Sequence, residues 1–345
     1  MFKSYGLCGC DDSDFSIDMN ALRAKTKDKQ NGKRKNIRKM DKNIISKLQA
    51  IYNETGFDEL LKNLLQIAKE DDISQKDTEK LAESFFDIIA GGGDYFDDYN
   101  VEFFEFIYQK FPKSKILKNY LIDIYGALAS NGIGDEYLSK MELLIGKKPE
   151  NENVAKTKVD ALENKYWEEL HTIGIEPDWD KCIKNVNKIE EIFNWYPQSE
   201  YVALRFAEAL EALTLKQDIE ACKITIQRLE KVFEHAKVNQ FPKTDWFANR
   251  FTSGLCRLSK KQNEQESQKT INRIEKIAAQ FPDELVYANL AYALEKFSQY
   301  KSGKEKKQVI NRLMEISKIW EPAQRMADRI RCEWIWKHFK KMVYE

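Results

Sequence analysis

From Ile44 onward the apolar residues of this chain recur at intervals of three and four, the period of a helix that buries one side. In FDELLKNLLQIAKE, Phe57, Leu60, Leu61, Leu64, Leu65 and Ile67 fall along one side of such a helix. DISQKDTEKLAESFFDIIA repeats the pattern and runs into Gly91-Gly92-Gly93, which predicts a stop there. No run of alternating apolar and polar residues reads as a strand, so the pattern predicts helices and joints alone. Residues 1–42 break the pattern. They hold few large apolar side chains and cannot bury enough surface to offset the entropy of ordering, so they are expected to form a disordered arm.

Proline punctuates the rest. Six of the seven prolines stand at 112, 149, 197, 242, 282 and 322. Phe111, Tyr196, Phe241 and Phe281 directly precede four of them, and Trp320 lies two residues before Pro322. A proline inside a helix costs roughly 3 kcal/mol, because it removes a donor and its ring strikes the preceding turn. A recurrent proline after an amphipathic run therefore predicts a joint between helices. Ser114, Ser199 and Asp283 follow three of these joints and are placed to accept the first N–H groups of the next helix. Pro177 is out of phase and reads as a helix entry after the loop at Gly174. The segment 189–211, IEEIFNWYPQSEYVALRFAEALE, lies over 274–295, IEKIAAQFPDELVYANLAYALE, with a single gap. That offset of about 85 residues is two units of roughly 42, too small to bury a core alone and so expected to stack.

In YANLAYALEKFSQY the chain resembles a tetratricopeptide repeat helix, with a large apolar residue, a small one beside it and another apolar one three later. The same phase recurs at Arg205-Phe206-Ala207 with Leu210, at Arg250-Phe251-Thr252 with Leu255, and at Arg325-Met326-Ala327 with Ile330. The resemblance covers 180–345 well and 100–170 loosely. Units near 42 residues exceed the family's 34, which leaves HEAT-like helical pairs as the other geometry. What the resemblance implies is an all-α, right-handed α-α superhelix of about six to seven helix pairs over 43–345, closed by a capping helix at 322–343. It also implies a concave groove that holds a peptide or partner protein. The groove-facing positions would be Arg205, Arg250, Asn289 and Arg325. Arginine offers a planar fork to carboxylates and asparagine can clamp a peptide backbone, so an acidic segment or a C-terminal carboxylate is the expected ligand.

Composition agrees with helix. Charged residues make up 32% of the 345-residue chain, while glycine (14) and proline (7) are scarce, which disfavours a sheet protein with its many turns. The net charge is zero but uneven. Ten Lys/Arg lie within 23–42, and the stretch after them is acidic. This basic run raises a second expectation, a nucleic-acid-associated regulator whose arm contacts phosphates through Lys33, Arg34, Lys35, Arg38 and Lys39. It contains no aromatic residue to stack on bases. Six cysteines with no paired framework suit a reducing compartment, and no apolar run reaches the roughly 20 residues needed to span a membrane. A cytoplasmic protein with no membrane contact is the expectation.

Chemistry is sparse. Cys8 and Cys10 sit beside Asp11, Asp12 and Asp14 but lack a second pair of ligands, so neither a metal nor another cofactor is expected. No phosphate-binding loop, dinucleotide fingerprint or nucleophile elbow is present. The spacing of Arg331 and His338 resembles that of the all-helical HEPN ribonucleases. The same spacing in Arg228 and His235, inside a repeat helix, and the absence of the polar residue after the Arg argue against that reading. The expectation is an interaction scaffold or adaptor with no catalysis of its own.

Overall fold

The computed structural model describes residues 57–69, 73–92, 98–130, 135–171 and 177–344. Among them every regular element is a helix. The chain divides into two compact units, one ending at Leu117 and the other beginning at Lys118.

The first unit contains α1 (Phe57–Lys69), α2 (Gln75–Gly92) and α3 (Asp98–Lys110), and α4 (Lys115–Ser130) starts within it. Leu60, Leu61 and Leu64 of α1 are buried as their spacing predicts, together with Ala68. Helix α2 does not stop before its glycines but takes in Gly91 and Gly92. Phe85 of α2 stands edge-on to Phe103 and stacked on Phe104, with centroids 5.1 and 5.7 Å away, so a cluster of rings joins α2 to α3.

In the second unit, α5 (Asp135–Ile145) precedes α6 (Glu152–His171), and α7 (Trp179–Trp195) precedes α8 (Glu200–Leu213). Then come α9 (Ile219–Val238) with α10 (Thr244–Ser259), and α11 (Glu264–Gln280) with α12 (Glu284–Phe297). A short 3-10 turn (Ser298–Tyr300) leads to α13 (Gly303–Ile316) and α14 (Pro322–Tyr344). Each helix packs on the next, and α6, α8, α10, α12 and α14 also pack directly on one another in a row. The phase read from sequence is the core of that row. Phe206, Ala207, Leu210, Phe251, Thr252, Leu255, Leu290, Ala291, Leu294, Met326, Ala327 and Ile330 are all buried. The small residue beside each large one lets neighbouring helices of the row approach.

All six phased prolines fall between the two helices of a pair or on the first residue of the second. Four of these joints, at Phe111, Tyr196, Phe241 and Trp320, share one hydrogen-bond plan, while at Phe281 the carbonyl accepts from Asp283 N, two residues on. The aromatic N–H closes the outgoing helix, as Tyr196 N does on Ile192 O at 3.0 Å. The aromatic carbonyl then accepts from the residue three further on, Ser199 N on Tyr196 O at 3.0 Å. Phe111 with Ser114 and Phe241 with Thr244 repeat it. Ser114, Ser199 and Asp283 cap α4, α8 and α12 as predicted, with Oγ of Ser199 accepting from Val202 N and Oδ1 of Asp283 accepting from Leu285 N at 2.8 Å. Pro177 stands just before α7, whose cap is Asp178.

Joints also lock to the joint before them. The Tyr196 hydroxyl donates to Pro149 O at 2.5 Å, and the Ser199 hydroxyl donates to Glu152 at 2.8 Å. His235 meets Pro197 O at 2.7 Å, with its ring edge-on to Phe193. The other row has its own ties: Arg228 to Glu190 and Arg273 to Glu230, each at 2.7 Å, and Arg312 to Glu275. These pairs are partly exposed and contribute little each, about 0–1 kcal/mol. Their recurrence fixes register between pairs.

Candidate binding face

The polar side chains along α6, α8 and α10 form a relay of alternating charge. Arg205 of α8 directs Nε toward Glu163 at 3.3 Å and Asp160 at 3.6 Å on α6. Its Nη1 donates to Glu208 at 2.9 Å, and its guanidinium lies over the Tyr201 ring at 5.2 Å. Arg250 of α10 holds the other oxygen of Glu208 at 2.7 Å and Glu211 at 3.1 Å. Glu211 in turn receives Arg257 and the Ser253 hydroxyl, each at 2.6 Å. Glu208 and Glu211 are thus each shared by two arginines.

The repeat explains the geometry. Acids stand three residues apart on one helix, at 160 and 163 and again at 208 and 211. Three residues is nearly one turn, so both acids of a pair face the same way. The arginine of the next helix in the row spans them with its fork. The carboxylates are nearly enclosed, with side-chain exposures of 6% for Glu163, 10% for Glu208 and 8% for Glu211. The arginines lie above them, with Arg205 36% and Arg250 32% exposed.

Burial raises one carboxyl of this relay. It pushes the Glu163 carboxyl up to about 8, with Glu208 and Asp160 adding to the rise and Arg205 opposing it. Burial works against the Arg205 charge, but Glu163, Tyr201, Glu208 and Asp160 outweigh it and hold its pKa above the usual value.

Of the four expected groove positions, Arg205 and Arg250 are brought together through Glu208. Their forks do not stand open for a ligand carboxylate, since they already hold the chain's own. Asn289 of α12 reaches onto α10, its amide donating to Asn249 Oδ1 at 2.9 Å and to the Thr252 hydroxyl at 3.1 Å. Arg325 stands apart, 80% exposed and 3.7 Å from Glu321 one turn back. Lys33, Arg34, Lys35, Arg38 and Lys39, with Cys8 and Cys10, lie outside the described residues. Arg228 is tied to Glu190 and Asn187, and His235 to Pro197, so both members of that spacing serve contacts between helix pairs.

One row escaped the sequence reading. Tyr201, Trp246 and Leu285 each stand four residues before Arg205, Arg250 and Asn289, hence one turn nearer the joint on the same side. Trp246 is 47% and Leu285 57% exposed. The signal lay in the repeat alignment itself, which places a large apolar residue at that position in three successive pairs.

No protein-family model matches this chain, and no curated protein matches it. Among the described residues, no helix is long and apolar enough to cross a membrane.

Proposed function

We propose that the chain is a non-catalytic protein-interaction scaffold whose partner lies across α8, α10 and α12. In this reading the pairs wind as a right-handed superhelix of tetratricopeptide type, with the row from α6 to α14 on the inside. One observation carries it: the row of Tyr201, Trp246 and Leu285, its last two members exposed, beside a relay of charges already fixed by internal pairs. Large aromatic and aliphatic side chains supply most of the energy of protein interfaces, and a preorganised surface loses little entropy on binding.

The relay changes which ligand fits. A peptide carboxylate at Arg205 would compete with Glu163 and Glu208, so contact through the apolar row is favoured. The buried thiols Cys182 and Cys222 are free, which suits a cytoplasmic setting. Affinity purification with the intact protein and with the double variant Trp246→Ser, Leu285→Ser tests the reading. A partner retained by the first and lost by the second is expected. Equal recovery with both removes this face as the site.

A further inference from the structure

One core position of the repeat holds a lysine. Asn151 caps α6 as Ser199 caps α8 and Asp283 caps α12, and seven residues after these caps stand Lys158, Phe206 and Leu290. All three are buried. An aromatic or aliphatic side chain suits such a place, whereas lysine is rarely buried without a charged partner.

The neighbours of Lys158 leave it without one. In the later pairs, the cation that ties one outer helix to the next also lies over the ring at this position. Arg228 of α9 stands 5.7 Å from the Phe206 ring, and Arg273 of α11 stands 5.6 Å from its counterpart Phe251. On α7 the tying cation is Lys188, which holds Glu142 Oε1 of α5 at 2.6 Å. It faces a second ammonium in place of a ring, because Lys158 Nζ stands 4.0 Å from that same oxygen. Two cations thus converge on one carboxylate oxygen, and Lys188 is the one that holds it. Lys158 donates no hydrogen bond among the described residues. Its side chain is 9% exposed, and its nitrogen still meets solvent. Burial pulls the Lys158 pKa below the usual value and Lys188 adds to the fall, while Glu142 and Glu191 oppose it. A lysine desolvated beside another cation gives up its proton readily and is then a nucleophile.

We propose that Lys158 is an acylation site that takes an acyl group from a small acyl phosphate. The free amine attacks the carbonyl carbon, so the N–C bond forms and the C–O bond to phosphate breaks. Phosphate leaves with the electron pair, and the surplus proton on nitrogen passes to water. Lys188, 30% exposed, stands beside this nitrogen and offers its charge to the departing phosphate. The product is a neutral amide, which costs less to bury than an ammonium. The inference does not depend on the scaffold reading.

The probe is acetyl phosphate, incubated with the whole chain near neutral pH, with acetylation of each lysine followed in time by peptide mass spectrometry. Lys158 is expected to be acetylated several-fold faster than Lys216 and Lys276, which are exposed. Lys188→Met removes the like charge and releases Glu142 to Lys158, so it should slow Lys158 several-fold. Glu142→Gln removes the carboxylate that favours the ammonium, so it should speed Lys158. Neither variant should change the rates at Lys216 and Lys276, and thermal unfolding confirms that each keeps its fold. Acetylation of Lys216 and Lys276 ahead of Lys158 overturns the proposal. So does acetylation of Lys158 only in urea, or a rate at Lys158 that neither variant alters.

Discussion

Arg250 reaches across 42 residues of chain to hold Glu208 at 2.7 Å. The same distance in sequence separates Arg205 from Glu163, 3.3 Å apart one helix pair earlier. One contact, repeated at the period of the fold, joins α6 to α8 and α8 to α10. A charge row that the sequence offers as ligand-facing thus serves first as a clamp between helix pairs.

Removing one arginine leaves two acids with one arginine each. Arg250→Ala leaves Glu211 without one of its two arginines and Glu208 with Arg205 alone, both nearly buried. Taking one partner from such a network costs about 3–5 kcal/mol when fully buried, and the part exposure of Arg250 lowers this to about 2–3 kcal/mol. Arg325→Ala, at an exposed position, should cost under about 0.5 kcal/mol. Urea unfolding followed by circular dichroism compares the two, and equal midpoints would show that the relay does not hold the pairs together.

The joints predict a different pattern of loss. Ser199→Ala removes the cap of α8 and the hydroxyl that donates to Glu152, so the expected cost is about 1–2 kcal/mol. Asp283→Ala removes two cap bonds, to Leu285 N and Val286 N, for about 1 kcal/mol. Lys243→Ala should change little, because Lys243 precedes α10 without capping it through its side chain. Unfolding midpoints of the three variants check the order, and a costly Lys243→Ala would break it.

The joints were legible because their causes are local. An aromatic residue, a proline and a hydroxyl or carboxylate within four positions dictate their own turn, and the core phase at Phe206, Phe251, Leu290 and Met326 follows from helical period. The relay was not legible. Arg250 is 39 residues from Glu211 along the chain, and only knowledge of which helices touch turns that separation into a 3.1 Å contact. The division near Leu117 has no sequence sign, since it falls inside the continuous apolar pattern of α4.

Stability should fall as the pH rises from about 4.5 to about 8. The Glu163 carboxyl is raised by burial from 4.5 to about 8, so between those values the folded chain keeps a proton that the unfolded chain releases. The unfolded state then binds fewer protons, and the slope of stability with pH is negative in that window. Asp123, raised by burial to about 6, adds to its lower part. The midpoint of thermal unfolding should drop by roughly 2–5 °C between about pH 5 and about pH 9. Glu163→Gln should flatten the curve, and an unchanged slope in that variant would place the proton elsewhere.

Two helical glycines separate packing from propensity. Replacing glycine by alanine inside a helix stabilises by about 1 kcal/mol when space allows. At Gly254 of α10 a Cβ would stand 2.7 Å from Cδ1 of Ile226 and 3.1 Å from Cδ2 of Leu229. Both are ends of side chains that can rotate, so overpacking and propensity should nearly cancel in Gly254→Ala. At Gly126 of α4 the Cβ would run into Cγ2 of Thr157. That side chain is branched at Cβ, and its hydroxyl is fixed by Asp123 at 3.1 Å and by Asn153 O at 3.3 Å. Turning it away breaks those bonds, so Gly126→Ala should destabilise by about 1–3 kcal/mol. Thr157→Ser in the same chain removes the methyl and should recover most of the loss. If Gly126→Ala instead raises the unfolding midpoint, the helices have room to part there, and close approach does not set the spacing of α4 and α6.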